Sequence, residues 1–258
     1  PCLLVHFYPW CMCLFCYFRD LCHNLKGKHD FGFGLIVAYI LTERMKFELK
    51  HIKPHPIPDH LIGPESVWKK EREVLESPAH YMILASSGKG KSTFVSYLYG
   101  ERNDYDGELL MDGRNIRDLT LSEWAAIRRN RLSVVFQDMR LFAKLNVMEN
   151  LLIKNRLTDY KTEAEIMELV KEYGMEEKTK QVCGTLSLGQ QQRVAIIRSL
   201  LQPIEFLIMD EPFSHLDQEN IRIGCHMIMR EVRKAGGGII STTLGDPYEF
   251  KFDHTITI

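Results

Sequence analysis

The sequence predicts an α/β fold with a mostly parallel central sheet, and three observations carry that expectation. The apolar run Tyr81-Met82-Ile83-Leu84, a glycine-rich turn and the helix-compatible stretch Phe94 to Tyr99 follow one another directly, in the order strand, loop, helix. Phe206-Leu207-Ile208-Met209 is continuously apolar, as a strand covered on both faces must be. The runs Leu132 to Phe136, Ile239 to Thr242 and Thr255 to Ile258 alternate with stretches of helical spacing, the pattern of strands joined by helical crossovers.

Taken in order, Met45 to Ile52 alternates apolar and polar residues and predicts an edge strand, the start of an antiparallel β edge. Pro54, Pro56, Pro58 and Pro64 make the next stretch a loop, and residues 65–77 mix strand and helix character. A helix follows the glycine-rich turn and ends near Gly100. Gly107 to Gly113 reads as a strand closed by the Asp112-Gly113 turn. From Asn146 to about Met175 the spacing of Val147, Leu151, Leu152, Ile166, Leu169 and Val170 is helical. A long helix is expected over about Asp217 to Lys234, stopped by Gly236-Gly237-Gly238.

At 258 residues the chain fits one large domain or two small ones. Its 33 basic and 34 acidic residues leave a net charge of −1, which argues against a nucleic-acid binder relying on a broad basic surface. Five of the seven cysteines, Cys2, Cys11, Cys13, Cys16 and Cys22, fall near the start, so residue 45 onward suits a reducing, cytosolic compartment. The opening stretch is aromatic and free of Asp, Glu, Lys and Arg through Phe18. A membrane span is interrupted by His6 and Pro9, a signal peptide lacks its basic region, and the cysteine spacing lacks paired C-x2-C knuckles. Residues 1–44 are therefore expected to lie outside the working domain, with Met45 as the natural start.

The turn Ala85-Ser86-Ser87-Gly88-Lys89-Gly90-Lys91-Ser92-Thr93 carries the chemistry. Triphosphate oxygens need many donors at close range, and glycine lets backbone N–H groups approach unobstructed, with a helix N-terminus adding positive dipole. Lys91 is expected to reach the β- and γ-phosphates and the Ser92 hydroxyl to hold Mg²⁺. Asp210, at the end of the buried run, supplies the carboxylate Mg²⁺ needs. Glu211 beside it is placed to orient or deprotonate an attacking water. Ser187 caps the helix that starts Leu188-Gly189-Gln190, a second anion site in a chain that already has one.

With these stretches in order, residues 45–258 resemble the nucleotide-binding subunit of an ATP-binding cassette (ABC) transporter. The likeness rests on Walker A (Ala85–Thr93), the Q-loop (Gln137), an LSGGQ-like motif (Leu186–Gln190), Walker B (Phe206–Glu211) and the D-loop Ser214-His215-Leu216-Asp217. It implies a P-loop NTPase fold, with a mostly parallel central sheet, an antiparallel β edge and an inserted helical subdomain at about 138–190. It also implies that ATP and Mg²⁺ bind and that two copies sandwich two ATP molecules, one chain's Walker A facing the other's Ser187, Gly189 and Gln190. Gln137 would contact Mg²⁺ or the attacking water. A separate integral-membrane permease would dock on the helical subdomain, placing the subunit peripherally on the cytoplasmic face of the inner membrane. Ser133 to Asp138 with Leu141-Phe142 and Glu149-Asn150-Leu151 is similar to the lipoprotein-release, MacB-like and FtsE-like branch. The implied function is a bacterial transporter's ATP-hydrolysing motor subunit. A regulatory subunit that binds ATP with little hydrolysis, and a non-transport ABC ATPase, remain as alternatives.

Three positions depart from the family pattern. Ala85 replaces the first Walker A glycine, where a positive φ would strain the turn. Leu188 replaces a signature glycine. Thr243 stands where the switch histidine belongs, and a threonine has no titratable imidazole. His215 is a weak substitute for it. Trp68 is the nearest upstream aromatic for adenine stacking but suits a place under the sheet better.

Overall fold

Strand β1 (Lys46–Pro54) buries Phe47 and Leu49 at the expected period of two, and a bulge at His51, φ 49°, then shifts the buried positions to Ile52 and Pro54. It belongs to a computed structural model that describes residues 44–85, 88, 90–243 and 248–258. The readings of residues 1–43, and the expected roles of Ser86, Ser87 and Lys89, lie outside the described residues. β1 pairs antiparallel with β2 (Arg72–Glu76) and with β4 (Tyr105–Met111), which turns at Asp112-Gly113 into β5 (Arg114–Asn115). These four strands, in the order β2-β1-β4-β5, form a sheet of their own. Residues 65–77 resolve into a 3-10 turn at Val67–Lys69, whose Trp68 N–H donates to the Ser66 hydroxyl, followed by β2.

The second sheet has the order β6-β7-β8-β3-β9, and every pairing in it is parallel. Its members are β3 (His80–Leu84), β6 (Leu132–Val135), β7 (Phe206–Asp210), β8 (Gly238–Thr243) and β9 (His254–Thr257). All five residues of β7 are buried, which explains its unbroken apolar run. The helices are α1 (Lys91–Leu98), α2 (Leu121–Asn130), α3 (Val147–Asn155), α4 (Glu163–Glu172), α5 (Leu188–Ser199) and α6 (Gln218–Ala235). Gly236, at φ 69°, ends α6 as the glycine triplet predicts.

The helical stretch from Asn146 to Met175 comprises two helices, α3 and α4. Asn155 closes the first by accepting the Lys161 N–H and donating to the Lys161 carbonyl, and Thr162 with Glu165 forms a capping box that starts the second. Burial would raise the Glu231 carboxyl, but hydrogen bonds from Lys161, Arg230 and Lys234 hold it at about 2. That cluster ties the start of α4 to α6. Apolar packing fills two clusters on opposite faces of the parallel sheet: Phe206 and Ile208 of β7 join the one with β1, β3 and α1, and Leu207 and Met209 join the one with α3 to α6. Trp68 is buried in the first, with its ring edge-on to Phe94 at 5.6 Å and to Tyr97 at 6.1 Å. It is a core residue.

Because the five strands run parallel, the loops that follow β3, β6, β7 and β8 all leave the same sheet edge. In open α/β sheets that edge is where ligands bind.

Candidate functional site

The loop after β3 turns through Gly88 at φ 77° and Gly90 at φ 100°, and α1 begins at the next residue, Lys91. Both are glycines, so these left-handed positions carry little strain. Ala85 is not among the positive-φ residues. Among the described residues of the loop the left-handed positions fall three and five residues further on, at Gly88 and Gly90, where glycine is kept. Ala85 instead offers its carbonyl, which accepts from Lys91 Nζ at 3.1 Å.

Lys91 is buried to 6% exposure and pairs with Glu211, Nζ to Oε1 3.2 Å. Ser92, Gln137, Asp210 and His215 line one cavity of about 460 Å³ at the sheet edge. The structure thus brings together Ser92, Gln137 and Asp210, with Lys91 and Glu211 alongside through Asp210-Glu211. A hydroxyl, an amide and one carboxylate are hard oxygen donors, a set that suits a Mg²⁺ ion which keeps several of its waters.

Thr242 was not predicted as part of the site. Its hydroxyl donates to Asp210 Oδ1 at 2.7 Å and accepts the Glu211 N–H at 3.0 Å. Register places it there, since Asp210 of β7 lies opposite Thr242 of β8. Glu211 needs the anchor, because its φ of 46° is in the left-handed region, where a non-glycine residue costs about 1–3 kcal/mol. Thr242→Val keeps the shape and removes both bonds. It is expected to destabilise the fold by about 1–3 kcal/mol, the scale of orphaned buried polar groups, and Thr242→Ser to restore most of it. Paired denaturant melts check this: equal midpoints for Thr242→Val and the parent chain contradict it.

Ser187 caps α5 by accepting the Gln190 N–H at 3.3 Å, and the Gln190 side chain accepts the Ser187 N–H at 3.1 Å. A Cβ at Gly189 would stand 2.8 Å from the His215 carbonyl, so this glycine lets the loop 214–217 lie against the helix. Buried Gln192 continues the contact, accepting the His215 N–H at 2.9 Å and donating to Ser214 Oγ at 3.3 Å. Asp217 then caps α6, and the Asn220 N–H that it accepts pulls its carboxyl below the usual range. Ser187, Gly189 and Gln190 do not line the cavity that holds Ser92 and Asp210. Thr243, buried at the end of β8, lies opposite Leu84 of β3.

Residues 74–214 match the family model described as ABC transporter. The chain belongs to the ABC transporter family. Among its relatives is the lipoprotein-releasing system ATP-binding protein LolD of Buchnera aphidicola subsp. Schizaphis graminum, 34% identical over 144 residues. That match covers 55% of this chain and 63% of the relative, so the chain spans just under two thirds of that protein. LolD of Zymomonas mobilis subsp. mobilis is 30% identical over 179 residues, 68% of this chain and 77% of the relative. The expected likeness to the lipoprotein-release branch is met in both. A solved dimeric ATP-binding cassette in a post-hydrolysis state, bound to ADP and Pi, superposes with a TM-score of 0.62 at 23% identity, over 78% of this chain and 88% of that one. The fold is that of an ABC cassette, with the expected parallel sheet, antiparallel strands and helices.

Proposed function

We propose that this chain is the ATP-binding and ATP-hydrolysing motor subunit of a bacterial ABC transporter, powering a separate membrane permease. The observation that carries the proposal is the convergence of Lys91, Ser92, Gln137, Asp210 and Glu211 on one sheet edge. In this reading the backbone N–H groups from Ser86 to Thr93 cradle the phosphates, and Lys91 neutralises the β- and γ-phosphate oxygens. Ser92, Gln137 and Asp210 hold Mg²⁺, which when bound offsets charge developing on the phosphates. Glu211 takes a proton from water as the water oxygen attacks the γ-phosphorus and ADP leaves. Thr243 offers a hydroxyl where the family resemblance implies an imidazole, so hydrolysis is slow. That replacement is also what favours the second reading, a regulatory subunit with little hydrolysis.

Ser187, Gly189 and Gln190 complete the pocket of a second copy, which explains why they stand apart from this chain's own cavity. The permease docks on the helical subdomain, which places the subunit on the cytoplasmic face of the inner membrane. Among the described residues no helix is long and apolar enough to cross a membrane. The names of the LolD relatives, ATP-binding proteins of a lipoprotein-releasing system, support the pairing with a membrane partner.

Sedimentation with ATP under Mg²⁺ chelation tests the sandwich. ATP is expected to draw two copies together, and Ser187→Glu, which turns a carboxylate toward the triphosphate, to weaken that association at least about tenfold while ATP still binds. Absence of ATP-dependent association, or a Ser187→Glu chain that pairs as well as the parent, overturns it.

A further inference from the structure

Gln137 differs from the residues it joins in what carries it. Ser92 stands on α1 and Asp210 at the end of buried β7, whereas Gln137 lies in the loop after β6. Loops hold a side chain less precisely than helices or strands do, so its place depends on what fixes the loop. The Met139 N–H donates to the Phe136 carbonyl at 3.0 Å, closing a turn with Gln137 and Asp138 at its corners.

The chain leaves that turn in an unfavourable conformation. Met139 has φ 59° and Arg140 φ 47°, two non-glycine residues in succession in the left-handed region. A residue with a Cβ is strained there, and neither Met nor Arg has the short polar side chain with which Asn or Asp offsets the strain locally. Such a backbone persists only where its surroundings over-determine it.

Here the surroundings converge on one side chain. Arg198, in the last turn of α5, donates to the Met139 carbonyl at 2.7 Å and to the Arg140 carbonyl at 2.8 Å, one guanidinium nitrogen to each. The carbonyls of both strained residues thus face one planar fork. Among the described residues no carboxylate pairs with Arg198. The helix end is itself anchored, since the Ser133 hydroxyl of β6 donates to the Ser199 carbonyl at 2.6 Å. Arg140 pairs with Glu101 and Asp138, and its guanidinium lies 3.6 Å over the Phe136 ring. Those contacts hold its side chain but leave both carbonyls to Arg198.

We propose that Arg198 is a positioning residue for Gln137: its guanidinium fixes the left-handed pair Met139-Arg140, and with it the turn that sets Gln137 at the cavity of Ser92 and Asp210. What Gln137 does there, holding Mg²⁺, rests on the proposed motor function. The positioning itself rests on the two carbonyl bonds and the strain they offset.

Hydrogen exchange of the full chain, read by mass spectrometry in the peptide covering residues 136–142, tests this. Arg198→Met is expected to speed exchange there about tenfold or more, the scale of one lost charge-assisted hydrogen bond, while peptides from α1 and β7 keep the parent's rates. Arg198→Lys, with the charge but not the fork, should fall between the two. Lost packing would not be cured at Met139, but lost restraint on a strained backbone would be. Met139→Gly, which adopts positive φ freely, should therefore shrink the effect of Arg198→Met. In the same samples, the Mg²⁺ concentration needed to tighten binding of a fluorescent ATP analogue should rise about tenfold in Arg198→Met, with binding under chelation unchanged. Exchange at 136–142 that matches the parent, or an Arg198→Met effect as large with Met139→Gly as without it, overturns the proposal. Should Arg198→Met fail to fold, Arg198→Lys with and without Met139→Gly gives the same comparison. Faster exchange beside an unchanged Mg²⁺ response supports the positioning and removes Gln137 from the Mg²⁺ ligands. A parent chain that binds no ATP analogue counts against the motor function alone.

Discussion

Lys91→Ala is expected to lower affinity for ATP by about 2–4 kcal/mol, roughly thirtyfold to a thousandfold, which is the scale of charge-assisted bonds to two phosphates. The structure explains why a surface lysine could not substitute. Lys91 is the first residue of α1, is buried to 6%, and has its Nζ fixed by the Ala85 carbonyl and Glu211. Losing the ammonium also leaves Glu211 facing the same space with its negative charge, so triphosphate entering the site meets a carboxylate in place of a cation. Lys91→Arg is a sharper control than it looks, because the guanidinium keeps the charge but not the compact shape, and it should recover only part of the affinity. Equilibrium titration with a fluorescent ATP analogue measures both variants, with a thermal melt to show that each is folded. An Ala variant that holds nucleotide as firmly as the parent would remove the phosphate-binding role from this loop.

Much of this site was legible because its residues are close in sequence. The loop 85–93 and the step from Phe206 to Glu211 each place a charged group at the end of a buried strand, and apolar periodicity alone locates both strands. The Ala85 departure illustrates what sequence could not supply. A motif names positions, but the φ that makes glycine necessary belongs to Gly88 and Gly90, and backbone geometry is needed to see that. Thr242 was missed for a different reason. Its hydroxyl acts across the sheet, and its partnership with Asp210 follows from the β7–β8 register, which no local pattern encodes. Helix α2 was also missed, although the capping box of Thr120 and Glu123 that starts it was readable as a Thr-x-x-Glu signal. The break between α3 and α4 falls in the gap between Leu152 and Ile166 in the helical spacing, and it is held by the Asn155 side chain bonding to the Lys161 backbone, a contact no spacing encodes.

Glu211→Gln is expected to cut ATP turnover by about 10²–10⁴-fold, the usual contribution of a positioned general base, while leaving nucleotide affinity within a few-fold of the parent. The amide keeps the length and shape of the carboxylate, so the anchors on its backbone, the Thr242 hydroxyl and the Gln192 side chain at 3.4 Å from the Glu211 carbonyl, remain. The change removes the negative charge opposite Lys91, which if anything frees that lysine for phosphate. ATP-bound pairs of the variant should therefore persist longer than those of the parent, because the step that dissolves them has slowed. Steady-state phosphate release, measured with the membrane partner present, decides between the two readings of the chain. Turnover in the parent that collapses in Glu211→Gln identifies an ATPase that works without a titratable group at Thr243. Turnover unchanged by the substitution takes Glu211 out of the chemistry. A parent that binds ATP and pairs with it, yet releases almost no phosphate, makes the chain a nucleotide-gated regulatory subunit, with Thr243 the residue that separates it from a motor. Thr243→His distinguishes that case further, since restoring an imidazole at the end of β8 should raise phosphate release only if Glu211 and the Mg²⁺ ligands are already in place.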